Sequence, residues 1–139
     1  MNAVKSTVLG GRLRQLQKVL LAVALALALG LLALDRYAAA VHRPQPGATA
    51  VTLYTTEWCP YCARLRADLR ASGVAYTEFD AERSLQGQLG MWALRGRGVP
   101  VTVVGEKVIY GYRVDQLALA LKDLGHTYLP APAATGSNK

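Results

Sequence analysis

A chain of 139 residues has room for one domain of ordinary size, yet 52% of it is hydrophobic, high for so short a soluble protein. The formal charge of +7 is uneven: residues 1–47 carry six Lys/Arg against the single acid Asp35, and the rest carries ten against eight. A basic flank beside an apolar run is the mark of membrane targeting, and no aromatic residues interleave a basic patch further on, so the composition argues against nucleic-acid binding.

Residues 1–18 form a basic N-terminal segment. From Val19 to Leu34 the chain reads VLLAVALALALGLLAL without a charge, sixteen residues that as a helix extend about 24 Å, slightly under the ~30 Å hydrocarbon core. Tyr37 to Val41 extend the run, so residues 19–41 are predicted to be a transmembrane helix or signal anchor. A cleaved signal peptide with Ala38-x-Ala40 as its processing site is the alternative. The length of the run and the intervening Asp35 and Arg36 favour the anchor. No polar face interrupts the run, which separates it from the core helix of a soluble domain. Lys5, Arg12, Arg14 and Lys18 before the run outnumber Arg36 and Arg43 after it. The positive-inside rule then predicts a single-pass protein whose domain lies on the non-cytoplasmic side (the periplasm if the host is a Gram-negative bacterium), with the cytoplasmic side as the alternative.

Residues 42–48, containing Pro44, Pro46 and Gly47, read as a linker, and the folded domain is expected over 49–125. Val51 to Thr55 is rich in β-formers and predicts a strand. Pro60 suits the first turn of a helix that carries Leu65 and Leu69 and ends near Ser72, with Gly73 beyond it. Val74 to Phe79 is a second predicted strand. Asp80 is the predicted cap of a helix reaching about Arg95, weakened by Gly87 and Gly90. Val101–Val104 and Lys107–Tyr110 are two short strands joined by the turn Gly105-Glu106. Val114, Leu117, Leu121 and Leu124 step by three and four residues, an amphipathic helix closed by Gly125. Residues 126–139 are expected to be a disordered tail. The predicted order is β-α-β-α-β-β-α, a mixed four-stranded sheet with its first two strands parallel, its last two antiparallel and helices on both faces.

The cysteines, Cys59 and Cys62, are the only two in the chain. They are too few for a disulfide scaffold, and His42 and His126 are poorly placed to complete a zinc site with them. A thiolate at the join of strand and helix faces unpaired N–H groups and the positive dipole end, which lower its pKa below the free value of about 8.5. Cys62 follows one turn later on the same face, within reach of the Cys59 sulfur. The pair is therefore suited to attack a disulfide through Cys59 and to release the mixed disulfide through Cys62. Two other readings stay open: a metal or iron–sulfur centre shared between subunits, and a non-catalytic interaction domain.

The segment Leu53-Tyr54-Thr55-Thr56-Glu57-Trp58-Cys59-Pro60-Tyr61-Cys62 resembles the C-P-Y-C active-site segment of dithiol glutaredoxins. Gly98-Val99-Pro100 resembles the T-V-P element of that family, and Gly111-Tyr112-Arg113-Val114-Asp115 stands where its glycine-bearing loop precedes the last helix. The resemblance covers residues 49–125. It implies a thioredoxin-like fold, a cis Val99–Pro100 bond facing the cysteines, and catalysis by Cys59 and Cys62. It further implies a groove for an extended thiol partner formed by Tyr61, Val99, Pro100, Gly111, Tyr112 and Asp115. The implied partners are disulfide-bearing proteins or glutathione, the latter as co-substrate with no bound cofactor or metal, and a monomer is expected. The family's frequent Lys before C-P-Y-C is replaced by Thr55, Thr56 and Glu57, and Glu57 is expected to repel a glutathione carboxylate and a neighbouring thiolate. The loop at 111–115 looks closer to glutaredoxin-like donors recharged by thioredoxin reductase. Trp58 either packs beside the site or fills the core, and Arg95, Arg97 or Arg113 stand as carboxylate partners or plain surface charges.

Overall fold

The computed structural model describes residues 2–132 of the chain, which fall into two units divided between Tyr37 and Ala38. Helix α1 runs from Asn2 to His42. Its stretch Arg12–His42 contains an 18-residue window of mean hydropathy 2.2 and has the length and composition of a membrane span, properties that a signal sequence shares. Leucines along it, among them Leu20, Leu21 and Leu31, are exposed. Such a surface is unfavourable in water and favourable in hydrocarbon.

In the second unit the order is β1 (Val51–Thr55), α2 (Pro60–Ala71), β2 (Thr77–Asp80), α3 (Leu85–Ala93), β3 (Val101–Val104), β4 (Lys107–Tyr110) and α4 (Val114–Asp123). The strands lie side by side as β2-β1-β3-β4. β1 pairs parallel with β2 and antiparallel with β3, and β3 pairs antiparallel with β4, Val104 opposite Lys107. This is the mixed four-stranded sheet that strand–helix alternation and the short Gly105-Glu106 turn predict. Gly105 takes a φ of 57° there, the left-handed region that glycine enters at no steric cost.

Alternation along the strands sorts the core into two layers. Val51 and Leu53 of β1, Val104 of β3 and Ile109 of β4 meet Leu65 and Leu69 of α2 and Leu117 and Leu121 of α4. On the other face Tyr54, Val101 and Val103 meet Leu94, with Phe79, Met91 and Val108 packed against them. Each fully buried leucine contributes roughly 1.5–3 kcal/mol. α3 approaches the sheet closely because two of its residues lack a side chain. A Cβ on Gly87 would lie 1.9 Å from the Asp80 carbonyl oxygen, and one on Gly90 would lie 2.0 Å from the Tyr54 ring.

Several boundaries differ from expectation, each for a local reason. β2 begins at Thr77 rather than Val74, because Val74 belongs to the end of α2: Gly73 N–H bonds the Arg70 carbonyl and Val74 N–H bonds the Leu69 carbonyl, with Gly73 at φ 66°. These paired bonds are the Schellman cap, and they leave Val74 buried in the core. α3 is capped by Ser84, whose Oγ accepts from Gly87 N–H at 2.9 Å, not by Asp80. Asp80 Oδ1 instead accepts from Glu82 and Arg83 N–H at 2.8 and 2.7 Å, an Asx turn whose donors hold the carboxyl below its ordinary range. α3 stops at Ala93, with Leu94 as its C-cap, and Arg95 takes a φ of 54°.

The stretch read as a linker is attached to the domain. His42 ends α1 with only 4% of its surface exposed. Gln86 Oε1, an acceptor 3.0 Å from Nε2, places the ring hydrogen on that nitrogen, so Nδ1 accepts from the Tyr54 hydroxyl at 2.8 Å. Arg43 Nε donates to the Ala93 carbonyl at 3.0 Å. In the stretch read as a tail, Leu129 N–H bonds Ser72 Oγ and Ala131 N–H bonds Asp68 Oδ1, each at 2.8 Å. Residues 133–139 lie outside the described residues.

Candidate active site

β1 delivers the chain to residues 56–58, and α2 begins at Pro60. Cys59 sits between them as the N-cap, with extended φ and ψ of −79° and 114°. Its Sγ accepts the Cys62 N–H at 3.2 Å, one of the orphan donors of a helix start. Pro60 at the first helical position withholds no bond, because that N–H has no intrahelical acceptor. Cys62 lies one turn on and is joined to Cys59 as a disulfide, Cα to Cα 5.2 Å. Cys62 is fully buried and Cys59 keeps 4% exposure, so only Cys59 is accessible to a partner.

The Val99–Pro100 peptide is cis, and Cys59 Sγ lies 4.0 Å from the Val99 carbonyl oxygen. Gly111 N–H bonds the Pro100 carbonyl at 2.8 Å, with Gly111 at φ 78°. That bond fastens the loop after β4 to the cis-proline. A cleft of about 480 Å³ opens here between Arg95, Arg97, Val99, Tyr110 and Gly111. Tyr61 is half exposed and stacks on Tyr112, centroids 6.1 Å apart at 29°. Arg64 holds its guanidinium 5.9 Å from the Tyr61 ring centre, close enough for cation–π attraction.

Of the residues singled out from the sequence, Cys59, Cys62, Val99, Pro100 and Gly111 thus converge, and Tyr61 and Tyr112 form a wall beside them. Asp115 lies exposed in the first turn of α4, and among the described residues no hydrogen bond ties it to the others. Trp58 does not fill the core. It is 68% exposed and donates Nε1–H to Glu82 at 3.0 Å. Arg95 and Arg97 line the cleft, whereas Arg113 caps α4 without a side-chain bond. Glu57 is paired with Arg83 on the surface, which offsets part of the repulsion expected of it. Exposed pairs of this kind are worth little in stability.

A further arrangement was not foreseen. Arg66 Nε donates to Glu78 at 2.7 Å, and its Nη2 reaches Thr55 Oγ1 at 3.1 Å and the Thr56 carbonyl at 3.2 Å. Thr55 Oγ1 also donates to Glu78. One guanidinium therefore ties α2 to β2 and to the segment leading into Cys59. The spacing Cys62 to Arg66, four residues and one helical face, is the only sequence signal for it.

A glutaredoxin family model matches residues 51–109. A glutaredoxin of Neisseria meningitidis serogroup B is 38% identical over 72 residues, spanning 48% of this chain and 85% of that one. Two Mycobacterium tuberculosis proteins bearing the glutaredoxin name are 51% identical over 35 residues, so the aligned stretch spans only 42% of their length. Among solved structures, buckwheat glutaredoxin in complex with glutathione superposes with a TM-score of 0.51 at 20% identity, over 70% of this chain and 94% of that one. This last likeness is one of fold.

Proposed function

The chain belongs to the glutaredoxin family, and from that premise we propose that it is a membrane-anchored thiol–disulfide oxidoreductase with Cys59 as nucleophile and Cys62 as resolving thiol. The observation that carries the reading is the placement of Cys59 Sγ at the N-cap of α2, on the Cys62 N–H and 4.0 Å from the Val99 carbonyl. A thiolate there accepts a charge-assisted bond and faces the positive end of the helix dipole.

The cycle balances without a metal. The Cys59 thiolate attacks one sulfur of a substrate disulfide, that S–S bond breaks, and the departing thiolate takes a proton. The Cys62 thiolate then attacks the Cys59 sulfur and expels the remaining substrate thiol. Two electrons have passed to the substrate, and Cys59 and Cys62 are left as the disulfide described here. Val99, preceding the cis-proline, offers main-chain groups along which an extended partner can lie. Tyr61, Tyr112 and Gly111 would form the rest of that groove.

The pair must be recharged by a thiol donor. Glutathione, the ligand of the buckwheat protein, is the favoured co-substrate, and Arg95 and Arg97 in the cleft beside Val99 supply positive charge for its carboxylates. Full-length protein in detergent, oxidised and then offered reduced glutathione or thioredoxin reductase with its nicotinamide donor, should recover two free thiols with glutathione. Recovery with the reductase alone reverses the assignment of the donor, and recovery with neither counts against the oxidoreductase reading. The anchor reading is supported by the exposed apolar length of α1. In intact cells a membrane-impermeant thiol reagent should label reduced Cys59 on a membrane-bound chain. A soluble product that starts after Ala40 would sink the anchor, and labelling only after permeabilisation would move the domain to the cytoplasmic side.

A further inference from the structure

We infer that the C-terminal segment from Gly125 to Pro132 is a positioning element for the thiol groove, acting through Asp68 on Tyr112 and through Tyr112 on Tyr61. The inference rests on the oxidoreductase reading above and adds to it a determinant of substrate affinity that stands outside the groove.

Asp68 lies on α2 two turns beyond Cys59 and is 3% exposed. Its Oδ2 accepts the hydroxyls of both Tyr112 and Tyr128, and its Oδ1 accepts Ala131 N–H at 2.8 Å. A buried carboxylate needs such donors, since leaving its oxygens unmet in a water-poor site is costly. Two of its three donors come from the C-terminal segment, and the third comes from the residue that forms the groove wall. Ser72 fixes the same segment a second time, accepting from Leu129 N–H at 2.8 Å while its own hydroxyl donates to the Asp68 carbonyl at 2.7 Å. Burial and these bonds raise the pKa of Tyr112 and Tyr128, which keeps both hydroxyls protonated as donors.

Tyr112 is therefore held at two ends. Its hydroxyl is committed to Asp68, and its ring lies on Tyr61. Gly111, one residue earlier, is fastened to Pro100. The wall that meets a partner is thus a pair of stacked ring faces with the Tyr112 hydroxyl drawn away, already ordered before the partner arrives. Preorganisation of this kind lowers the ordering cost of binding and leaves the sulfur chemistry alone. The segment also contributes Ala131 and Pro132 to an open cleft of about 460 Å³ shared with Arg64 and Tyr112, so its position shapes the surface next to Tyr61.

The test uses the full chain in detergent and the variant Tyr128→Phe, which keeps the ring and deletes one donor. With a cysteinyl-peptide–glutathione mixed disulfide as substrate, KM should rise about fivefold, the scale of one net hydrogen bond, with kcat within a factor of two. The rate of Cys59 alkylation should stay as in wild type, and the Tyr61 ring signals in proton NMR should shift. A chain ending at Thr127 should show the same pattern more strongly. Unchanged KM and unchanged Tyr61 signals in both variants overturn the inference. So does a parallel fall of kcat and kcat/KM together with early melting, which marks a role in stability alone. A wild-type chain without turnover removes the oxidoreductase reading and this inference with it, whereas normal wild-type turnover beside unaltered variants removes only the inference.

Discussion

Replacing the Cys59 sulfur by oxygen is expected to abolish disulfide exchange, with Cys59→Ser at least about a thousandfold below wild type. A serine hydroxyl at the same N-cap still accepts the Cys62 N–H, so the helix start and the fold survive, and the loss is chemical. Cys62→Ser should behave differently. The attacking sulfur remains, but no internal thiol expels the bound partner. A covalent adduct on Cys59 should then accumulate, visible as a mass increment equal to one half of the substrate and reversed by external thiol. The asymmetry follows from burial: Cys59 keeps a little exposure and Cys62 has none. Equal, mild losses in the two variants would be incompatible with it, as would an adduct trapped on Cys62.

The largest structural effect is expected at a residue with no side chain. Gly87→Ala improves intrinsic helix propensity by about 1 kcal/mol, so the substitution would stabilise an isolated α3. In the folded chain the new Cβ would stand 1.9 Å from the Asp80 carbonyl oxygen and 2.8 Å from Ser84 Oγ. The first contact is with main chain at the end of β2, and it cannot be relieved by turning a side chain. α3 must move away from the sheet and disturb its Ser84 cap. The net loss should be about 3 kcal/mol, which for a domain of this size lowers the melting temperature by roughly 12–24 °C. Thermal denaturation followed by circular dichroism measures it, and an unchanged or higher midpoint for Gly87→Ala would show that α3 does not pack so closely.

Much of this arrangement was legible in the residues, and the exceptions have a common physical cause. Val51-Thr52-Leu53-Tyr54-Thr55, Pro60 at a helix start and the Gly105-Glu106 turn speak through local preference, which was enough for element order and for the β1–β2 and β3–β4 pairings, though not for the antiparallel pairing of β1 with β3. The two cysteines and Gly98-Val99-Pro100 were marked by chemistry and resemblance, and they lie together. What escaped were long-range partnerships. Glycines at 87 and 90 looked like weaknesses of a helix, because the reason for them is backbone and ring from another strand. His42 looked like linker, since nothing near it in the chain announces Tyr54 and Gln86. Asp68 and Tyr128 are sixty residues apart, and no periodicity reports a bond over that distance. Ser84 and Asp80 are both good capping residues, and choosing between them required knowing where β2 ends.

The bond from Cys62 N–H to the Cys59 sulfur has a thermodynamic corollary. An anionic sulfur accepts that bond more strongly than a disulfide sulfur does, and an unfolded chain offers it to neither. So short a cross-link constrains the random chain only weakly, and little opposes this gain. By the linkage square joining folding with reduction, the native domain then favours the dithiol more than the same two cysteines would in a denatured polypeptide. Holding electrons and resisting denaturation become one quantity: whatever tightens this single contact makes the protein a gentler reductant and its reduced form the hardier one.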